Sequence, residues 1–159
     1  MIVHRQGDLL SSRASALVNP VNCFGAMGKG IAAEFKRVFP LMFEDYASRC
    51  SQNQVKPGVP YAFQETVNGT WIINFPTKNH WRGQSQLGWI ASGLASLPDV
   101  LFAIGVKDLA LPRLGCGEGG LNWKDVGPLV ERELGPLDMK VEIWTRGASS
   151  RMEQEPTLF

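Results

Sequence analysis

The sequence is poor in the residues that build disulfide frameworks and metal sites. It has three cysteines, Cys23, Cys50 and Cys116, without CxxC spacing, and two histidines, His4 and His80. An odd and scattered cysteine set excludes a disulfide framework, and the two histidines leave too few ligands for a zinc site. We therefore expect reduced cysteines and no bound metal.

Long apolar runs and a secretion signal are also lacking. No apolar run approaches the roughly 20 residues that span a bilayer. The N-terminal residues 1–8, Met-Ile-Val-His-Arg-Gln-Gly-Asp, have neither the basic start nor the apolar stretch of a signal peptide. These absences favour a cytoplasmic protein that has no contact with a membrane.

An excess of charge of one sign is absent as well. The 159 residues include 16 lysines and arginines and 15 aspartates and glutamates, so the net charge is +1. This balance excludes a large basic surface for a nucleic-acid duplex, whereas a local patch suffices for a few phosphates. The hydrophobic share of 44% and the charged share of 19% are typical of a globular chain, and the length suits one domain.

Apolar segments with strand character alternate with segments of helical period, which predicts an α/β fold. The dipeptide Asn68-Gly69 is a strong hairpin signal, so the strands that flank it should be antiparallel and the sheet mixed. The predicted strands are residues 2–5, 16–18, 61–64, 70–75, 108–111 and 141–145.

Four helices are predicted between these strands. Ile31, Phe35 and Val38 lie on one stripe that ends before Pro40, a second helix covers residues 41–52, and a fourth covers residues 123–134. Ser85 is placed to cap the third helix. We expect one domain over residues 1–146 and a polar C-terminal tail over residues 147–159.

Two glycine-rich segments each follow a predicted strand and precede a predicted helix. They are Gly-Ala-Met-Gly-Lys-Gly at residues 25–30 and Gly-Cys-Gly-Glu-Gly-Gly at residues 115–120. Glycine lets the backbone approach a ligand, and the N–H groups at a helix start favour an anion, so two such loops predict a grip on one pyrophosphate. The second segment matches GxGxxG, but Glu142 lies inside the last strand, which excludes a dinucleotide dehydrogenase. Gly30 follows Lys29, which excludes a Walker A motif.

A lysine follows the strand that is predicted to end at residue 75 or 76. Lys78 stands near two large aromatic positions, Phe75 and Trp81. In a water-poor pocket a lysine loses its charge more readily and attacks an aldehyde-like carbon. The competing interpretation is a solvated loop lysine. His80 is a candidate general acid or an ordinary surface residue.

Five segments, in this order, together resemble a macro domain. They are Gly-Asp-Leu at 7–9, Ala-Leu-Val-Asn-Pro-Val-Asn at 16–22, Met-Gly-Lys-Gly-Ile-Ala at 27–32, Asn-Phe-Pro-Thr-Lys at 74–78 and Leu-Pro-Arg-Leu-Gly-Cys-Gly at 111–117. Within that superfamily the chain is most similar to the branch that contains the terminal ADP-ribose protein glycohydrolase and the antitoxin DarG. The DarG macro domain removes the ADP-ribose that the toxin DarT places on thymidine in single-stranded DNA.

The resemblance implies a three-layer α/β/α fold with a mixed, mostly parallel central sheet and ADP-ribose in a cleft at the C-terminal strand ends. It implies that Asp8 and the backbone of Leu9 bind the adenine, and that Trp144 lies against it. It implies that Asn22 holds the distal ribose and that Lys78 attacks its anomeric carbon, both as catalytic residues. The N–H groups of residues 28–31 and 115–117 would bind the phosphates. The further ADP-ribose contacts are Met27, Gly28, Lys29, Gly30, Ile31, Thr77, Pro112, Leu114, Gly115, Cys116, Gly117, Glu118 and Gly119.

The sequence departs from the family pattern at one position. The protein-directed enzymes of this branch have an acidic residue in the second glycine loop that assists their lysine. Gly119 stands at the matching place, and the neighbouring Glu118 is the candidate substitute. This favours the DarG-like substrate over acyl-linked ADP-ribose. The resemblance implies ADP-ribosylated single-stranded DNA as the substrate, a DarT-type toxin as a partner, a monomer and no cofactor.

Two other functions stay open. One is a reader that only binds ADP-ribose, and the other is hydrolysis of ADP-ribose 1″-phosphate, O-acetyl-ADP-ribose or protein-linked ADP-ribose. With a net charge of +1, DNA binding should involve few phosphate contacts beyond the modified nucleotide, through Arg82 and Lys56, and depend weakly on salt. Trp81 is a candidate for stacking on a base or for the wall of the cleft.

Overall fold

The computed structural model describes residues 1–146, so the predicted polar tail at 147–159 lies outside the described residues. A single-turn 3-10 helix, Leu9–Ser11, follows the first strand. The strands are β1 Ile2–Gln6, β2 Ala16–Asn22, β3 Tyr61–Gln64, β4 Trp71–Lys78, β5 Asp108–Pro112 and β6 Lys140–Thr145. The helices are α1 Gly30–Val38, α2 Pro40–Ser51, α3 Leu87–Ile104 and α4 Trp123–Leu134.

The strands form one sheet in the order β1-β6-β5-β2-β4-β3. All neighbours are parallel except β3 and β4, which pair in antiparallel register from Tyr61 opposite Asn74 to Gln64 opposite Trp71. Asn68 adopts a left-handed backbone conformation in the turn that joins them. The mixed, mostly parallel sheet is thus confirmed, and so is the hairpin.

Helices cover both faces of the sheet, which confirms the three-layer α/β/α arrangement. Successive strand residues alternate between two cores: Ile73 belongs to the core under α3 and α4, whereas its neighbour Ile72 belongs to the core under α1 and α2. The helical residues of the first core include Ile90, Leu94, Leu97, Leu101, Val126 and Val130. Those of the second core include Ile31, Phe35, Met42, Tyr46 and Cys50.

Helix α3 is long and apolar, and one face of it packs in a core. Its 18 residues have a mean hydropathy of 1.6, so by length and composition the helix could span a membrane. The sequence had been expected to contain no such segment. Ile90, Leu94, Leu97 and Leu101 are fully buried in the core on that face of the sheet. The ring of Phe75 fills the space beside Gly93, where a Cβ atom would overlap it.

Two central strands run further than predicted. Strand β2 continues to Asn22 and β4 to Lys78, although Pro20 and Pro76 lie within them. A proline cannot donate to a ladder, yet β2 pairs with β5 only at Ala16 and Leu17, so β2 has an unpaired side beyond that point. The prolines therefore did not mark the strand ends, and Lys78 is the last residue of a strand.

The start of α3 also differs from the prediction. Gln86 precedes the first helical residue and makes no side-chain capping bond. Ser85, the expected cap, is buried, and its hydroxyl has no hydrogen-bond partner among residues 1–146. Its N–H donates to the carbonyl of Gly119 at 3.0 Å. The cap prediction was wrong because Ser85 packs against the second glycine loop.

Candidate active site

The parallel strands bring the sequence motifs to one edge of the sheet. Because β1, β2, β4, β5 and β6 are parallel, the loops that follow them emerge on the same side. A cleft of about 340 Å³ opens there between the loop after β2, the end of β4 and the loop after β5. This volume is at the lower end of the range of ligand pockets.

Lys78 lies in the wall of this cleft, at a bulge in β4. Val21 pairs with Pro76 and Asn22 with Lys78, so Thr77 is the extra residue. The lysine side chain lines the cleft and the residue is only 9% exposed. Burial lowers the pKa of the Lys78 ammonium, the charge of Glu118 opposes this, and the charge of Lys29 adds to it. The net lowering makes the neutral, nucleophilic amine more accessible near neutral pH.

Asn22 organises the first glycine loop. Its side-chain oxygen accepts hydrogen bonds from the N–H groups of Phe24 at 3.0 Å and Gly25 at 3.2 Å, and from the hydroxyl of Tyr46 at 2.8 Å. Its amide donates to the carbonyl of Ala26 at 2.8 Å. One amide N–H stays available, so a direct contact with the distal ribose depends on that hydrogen alone.

The first glycine loop offers backbone donors to an anion. Helix α1 begins at Gly30, and Lys29 in front of it makes no side-chain capping bond. The first helical hydrogen bond runs from Ala33 to Lys29 at 3.3 Å, so the preceding N–H groups are unpaired within residues 1–146. These donors and the helix dipole are suited to an anion in the cleft, which Gly30 and Ile31 line.

The second glycine loop is held tightly. Gly115 adopts a left-handed φ of +73°, and the N–H of Cys116 donates to the carbonyl of Arg113 at 3.2 Å. The Cys116 N–H is thus already paired, which differs from its expected contact with a phosphate. A Cβ atom at Gly119 would overlap the Ser85 hydroxyl and the carbonyl of Gly115. The loop therefore has no room for a side chain at residue 119.

Glu118 is the acidic residue that remains at the cleft. It is exposed and lines the same cleft as Lys78, and its charge raises the pKa of the lysine against the larger effect of burial. A carboxylate that lines the same cleft would stabilise a positive charge that develops at the amine.

The residues expected around the adenine lie beyond this cleft, at the ends of β1 and β6. Asp8 is exposed and caps the 3-10 helix by accepting from the N–H of Leu10 at 3.0 Å. The indole N–H of Trp144 donates to Glu142 at 3.1 Å, and Ser12 donates to the same carboxylate at 2.5 Å. Burial alone would raise the pKa of Glu142, but these hydrogen bonds and Lys140 lower it overall. Glu142 thereby fixes the orientation of Trp144.

The cleft brings together most of the residues that the sequence singled out. Those that line it are Asn22, Met27, Gly28, Lys29, Gly30, Ile31, Thr77, Lys78, Gly115, Glu118 and Gly119. Those that do not are Asp8, Leu9, Pro112, Leu114, Cys116, Gly117 and Trp144. Leu9 and Leu114 are buried in the two cores.

The structure adds apolar lining residues that sequence reasoning missed. Pro20, Val21, Ala26 and Ala32 also face the cleft. They carry no polar group that would mark them in a sequence, and only their position in the loops and strand places them there. They make the walls apolar, which supports the exclusion of water around Lys78.

His80 does not lie where a general acid for chemistry in the cleft would be expected. It does not line the cleft, and its Nδ1 accepts from the N–H of Arg82 at 3.1 Å. Its ring stacks on Trp81 at a centroid distance of 5.5 Å and lies tilted by 55° against Phe24 at 4.6 Å.

The three cysteines are free, and burial raises the pKa of both Cys23 and Cys116 to about 11. Within residues 1–146 no group of three or more metal-ligating side chains is close enough to hold an ion.

Comparison with known proteins agrees with this geometry. The family model described as Macro domain matches residues 18–130. A Mycobacterium tuberculosis protein named DNA ADP-ribosyl glycohydrolase is 45% identical over 128 residues, which cover 79% of this chain and 36% of that protein. The chain therefore spans about a third of the length of this relative.

Solved structures give the same relationship. The macrodomain of Mycobacterium tuberculosis DarG has a TM-score of 0.88 and 41% identity, covering 92% of this chain and 99% of that one. Thermosipho africanus DarTG in complex with ADP-ribose has a TM-score of 0.85 and 34% identity, covering 99% of this chain and 45% of that one.

Proposed function

Because this chain belongs to the macro domain family, we propose that its cleft binds ADP-ribose and that it acts as a DNA ADP-ribosyl glycohydrolase. The relatives of similar sequence are named for this activity. The observation that carries the proposal is Lys78, a lysine with 9% exposure in an apolar cleft between two glycine loops. A reader of ADP-ribose needs the loops but has no need of a desolvated amine.

The proposed substrate is ADP-ribose on a thymidine of single-stranded DNA, and Lys78 is the nucleophile. The lone pair of its neutral amine forms a bond to the anomeric carbon of the distal ribose. The bond from that carbon to the thymine nitrogen breaks, and its electron pair leaves with the thymine ring. The proton that the amine gives up on forming the new bond goes to the thymine. Water then adds to the anomeric carbon, the carbon–lysine bond breaks, and free ADP-ribose is released with the amine restored.

Two side chains assist this step in the proposal. Glu118 stabilises the positive charge on the attacking amine and passes its proton on to the departing thymine. The free amide N–H of Asn22 donates to the distal ribose or to the anionic thymine ring. The backbone donors at the start of α1 and in the second glycine loop hold the two phosphates, which fixes the anomeric carbon in front of Lys78.

A substrate panel tests the proposal. The wild-type protein is given single-stranded DNA modified on thymidine, ADP-ribosylated protein, ADP-ribose 1″-phosphate and O-acetyl-ADP-ribose, and the release of ADP-ribose is followed. We expect release from the DNA at a kcat/KM at least about tenfold above that for the other substrates. Binding of ADP-ribose with no release from any of them identifies a reader instead, and preference for a small molecule or a protein assigns the other hydrolase activity.

The proposal extends to the whole protein. Residues 1–146 are the catalytic domain and residues 147–159 a polar tail, the domain is a monomer in the cytoplasm, and a DarT-type toxin is its partner. The support for the toxin is the Thermosipho africanus DarTG structure, whose 34% identical chain is matched over 45% of its length. Analytical ultracentrifugation of the chain with and without such a toxin measures both the monomer and the complex.

A further inference from the structure

A run of exposed ring systems lies beside the cleft and has no role in the chemistry above. The ring of Phe24 contacts that of His80 at 4.6 Å between centroids, and His80 stacks on Trp81 at 5.5 Å with an interplanar angle of 27°. The guanidinium of Arg82 lies 4.5 Å from the centre of the Trp81 ring. We call Phe24, His80, Trp81 and Arg82 the aromatic ladder.

The two large apolar rings of the aromatic ladder are exposed. Phe24 is 59% exposed and Trp81 39% exposed. Single exposed apolar residues are common on protein surfaces, but a contiguous group of them is a sign of a binding surface.

The ladder is held in shape by backbone contacts. The N–H of Cys23 donates to the carbonyl of Asn79 at 3.2 Å, which ties the loop of Phe24 to the loop of His80. The N–H of Gly83 donates to the carbonyl of His80 at 2.9 Å, and the N–H of Arg82 donates to its ring. A fixed set of rings loses little conformational entropy on binding a flat ligand.

The ladder adjoins the reaction site and carries positive charge. Trp81 lines the same cleft as Lys78, and Arg82 lies over Trp81. Lys56 is exposed, and its charge opposes the rise that burial causes in the pKa of Cys23, the residue before Phe24. Neither Lys56 nor Arg82 is paired with a carboxylate within residues 1–146.

Rings flanked by unpaired cations are suited to single-stranded nucleic acid, in which bases stack on aromatic side chains and phosphates meet basic ones. We propose that the aromatic ladder binds the unpaired base next to the modified thymidine, which stacks on the open face of Phe24, with Arg82 and Lys56 at the adjoining phosphates. This inference rests on the proposed DNA substrate and names how that strand is bound outside the cleft. A net charge of +1 limits the contact to these few phosphates.

The test measures binding separately from turnover. Lys78→Ala protein, which leaves the substrate intact, is titrated with a five-nucleotide strand that is ADP-ribosylated on its central thymidine. A second strand has abasic sites on both sides of that thymidine, and free ADP-ribose is the third ligand. We expect Phe24→Ala, added to Lys78→Ala, to raise Kd for the first strand about 5- to 150-fold and to change Kd for ADP-ribose less than twofold.

Two controls separate stacking from other effects. Phe102 is 89% exposed on α3, so Phe102→Ala removes an exposed phenylalanine elsewhere and should leave all three Kd values unchanged. The Kd of Lys78→Ala for the abasic strand should equal the Kd of the Phe24→Ala double variant for the intact strand. Phe24→Ala should not raise the Kd for the abasic strand any further. With two phosphate contacts on a single strand, log Kd should rise with the logarithm of the salt concentration with a slope of about 1.4.

Equal Kd values for the intact and abasic strands, or an intact strand that binds no more tightly than ADP-ribose, overturn the inference. Because these titrations need no release of ADP-ribose, the stacking result stands apart from the proposed activity. If the wild type releases no ADP-ribose but Phe24→Ala still raises the Kd for the intact strand, only the proposed glycohydrolase activity is contradicted. If the wild type releases ADP-ribose but Phe24→Ala leaves this Kd unchanged, only the role of the aromatic ladder is contradicted.

Discussion

The side chain of Asn22 offers a sharp test of how the first glycine loop is built. Replacement of Asn22 by alanine removes the acceptor for the N–H groups of Phe24 and Gly25 and the donor to the carbonyl of Ala26. The hydroxyl of Tyr46 keeps a second acceptor, because it is also 2.8 Å from the backbone carbonyl of Asn22. Three hydrogen bonds of 3.2 Å or less are therefore lost, together with a longer one of 3.5 Å from the N–H of Ala26.

The expected cost follows from these contacts. A net contribution of about 1 kcal/mol for each hydrogen bond gives about 3 kcal/mol, and water that reaches the partly exposed loop reduces this to about 2–3 kcal/mol. The loop also loses its fixed shape in front of α1. We therefore expect the Kd for ADP-ribose to rise at least about tenfold, because the backbone donors must be ordered again when the ligand binds.

Denaturant unfolding and isothermal titration with ADP-ribose measure both effects. Asn79→Ala is the matched control, since Asn79 is exposed and follows Lys78 directly, and only its backbone carbonyl is used by the loop. Ordinary surface substitutions change the free energy of unfolding by up to about 0.5 kcal/mol. If the free energies of unfolding of Asn22→Ala and Asn79→Ala differ by no more than this, Asn22 does not organise the loop.

Three further predictions follow from packing and charge. Gly93→Ala should lower the free energy of unfolding by about 1–3 kcal/mol, since its methyl group overlaps the Phe75 ring. Gly88→Ala has open space around the new atom and should not lower it. Denaturant titration of both variants measures the difference. Gly119→Ala should raise the Kd for ADP-ribose at least about tenfold, whereas the control Gly88→Ala should change it little. Equal Kd values for the two variants would contradict a second glycine loop without room at residue 119. Lys78→Met should stabilise the fold near pH 7, because the lowered pKa of Lys78 means that the unfolded state binds more protons; the gain should shrink as pH rises from the folded to the ordinary lysine pKa, and a pH-independent difference refutes it.

The local patterns were sufficient for much of the fold. The period of apolar residues in α4 located the helix over residues 123–134, which is its observed span, and Asn68-Gly69 located the hairpin. These features depend on neighbours in the sequence, so a single sequence contains the information. The three layers and the mostly parallel sheet came from the family resemblance and not from periodicity, and the strand order was not predicted.

Long-range packing decided what the local patterns could not. The predicted strand ends at residues 18 and 75 were too early, because the ladder between β2 and β4 continues past Pro20 and Pro76 to the cleft. Ser85 has the residue type of a cap, but its contact is with Gly119, which is 34 positions away. The burial of Lys78 likewise depends on loops from three parts of the chain, so the sequence supported a solvated lysine equally well.

The most direct measurement of the central claim compares the wild type with Lys78→Ala on single-stranded DNA that is ADP-ribosylated on thymidine. Release of free ADP-ribose and the Kd for ADP-ribose are measured side by side. We expect Lys78→Ala to lose at least about 100-fold in the rate of release, the scale of removing one group that acts in the transition state, while Kd changes less than about fivefold. A Lys78→Ala protein that releases ADP-ribose at the wild-type rate would contradict the account.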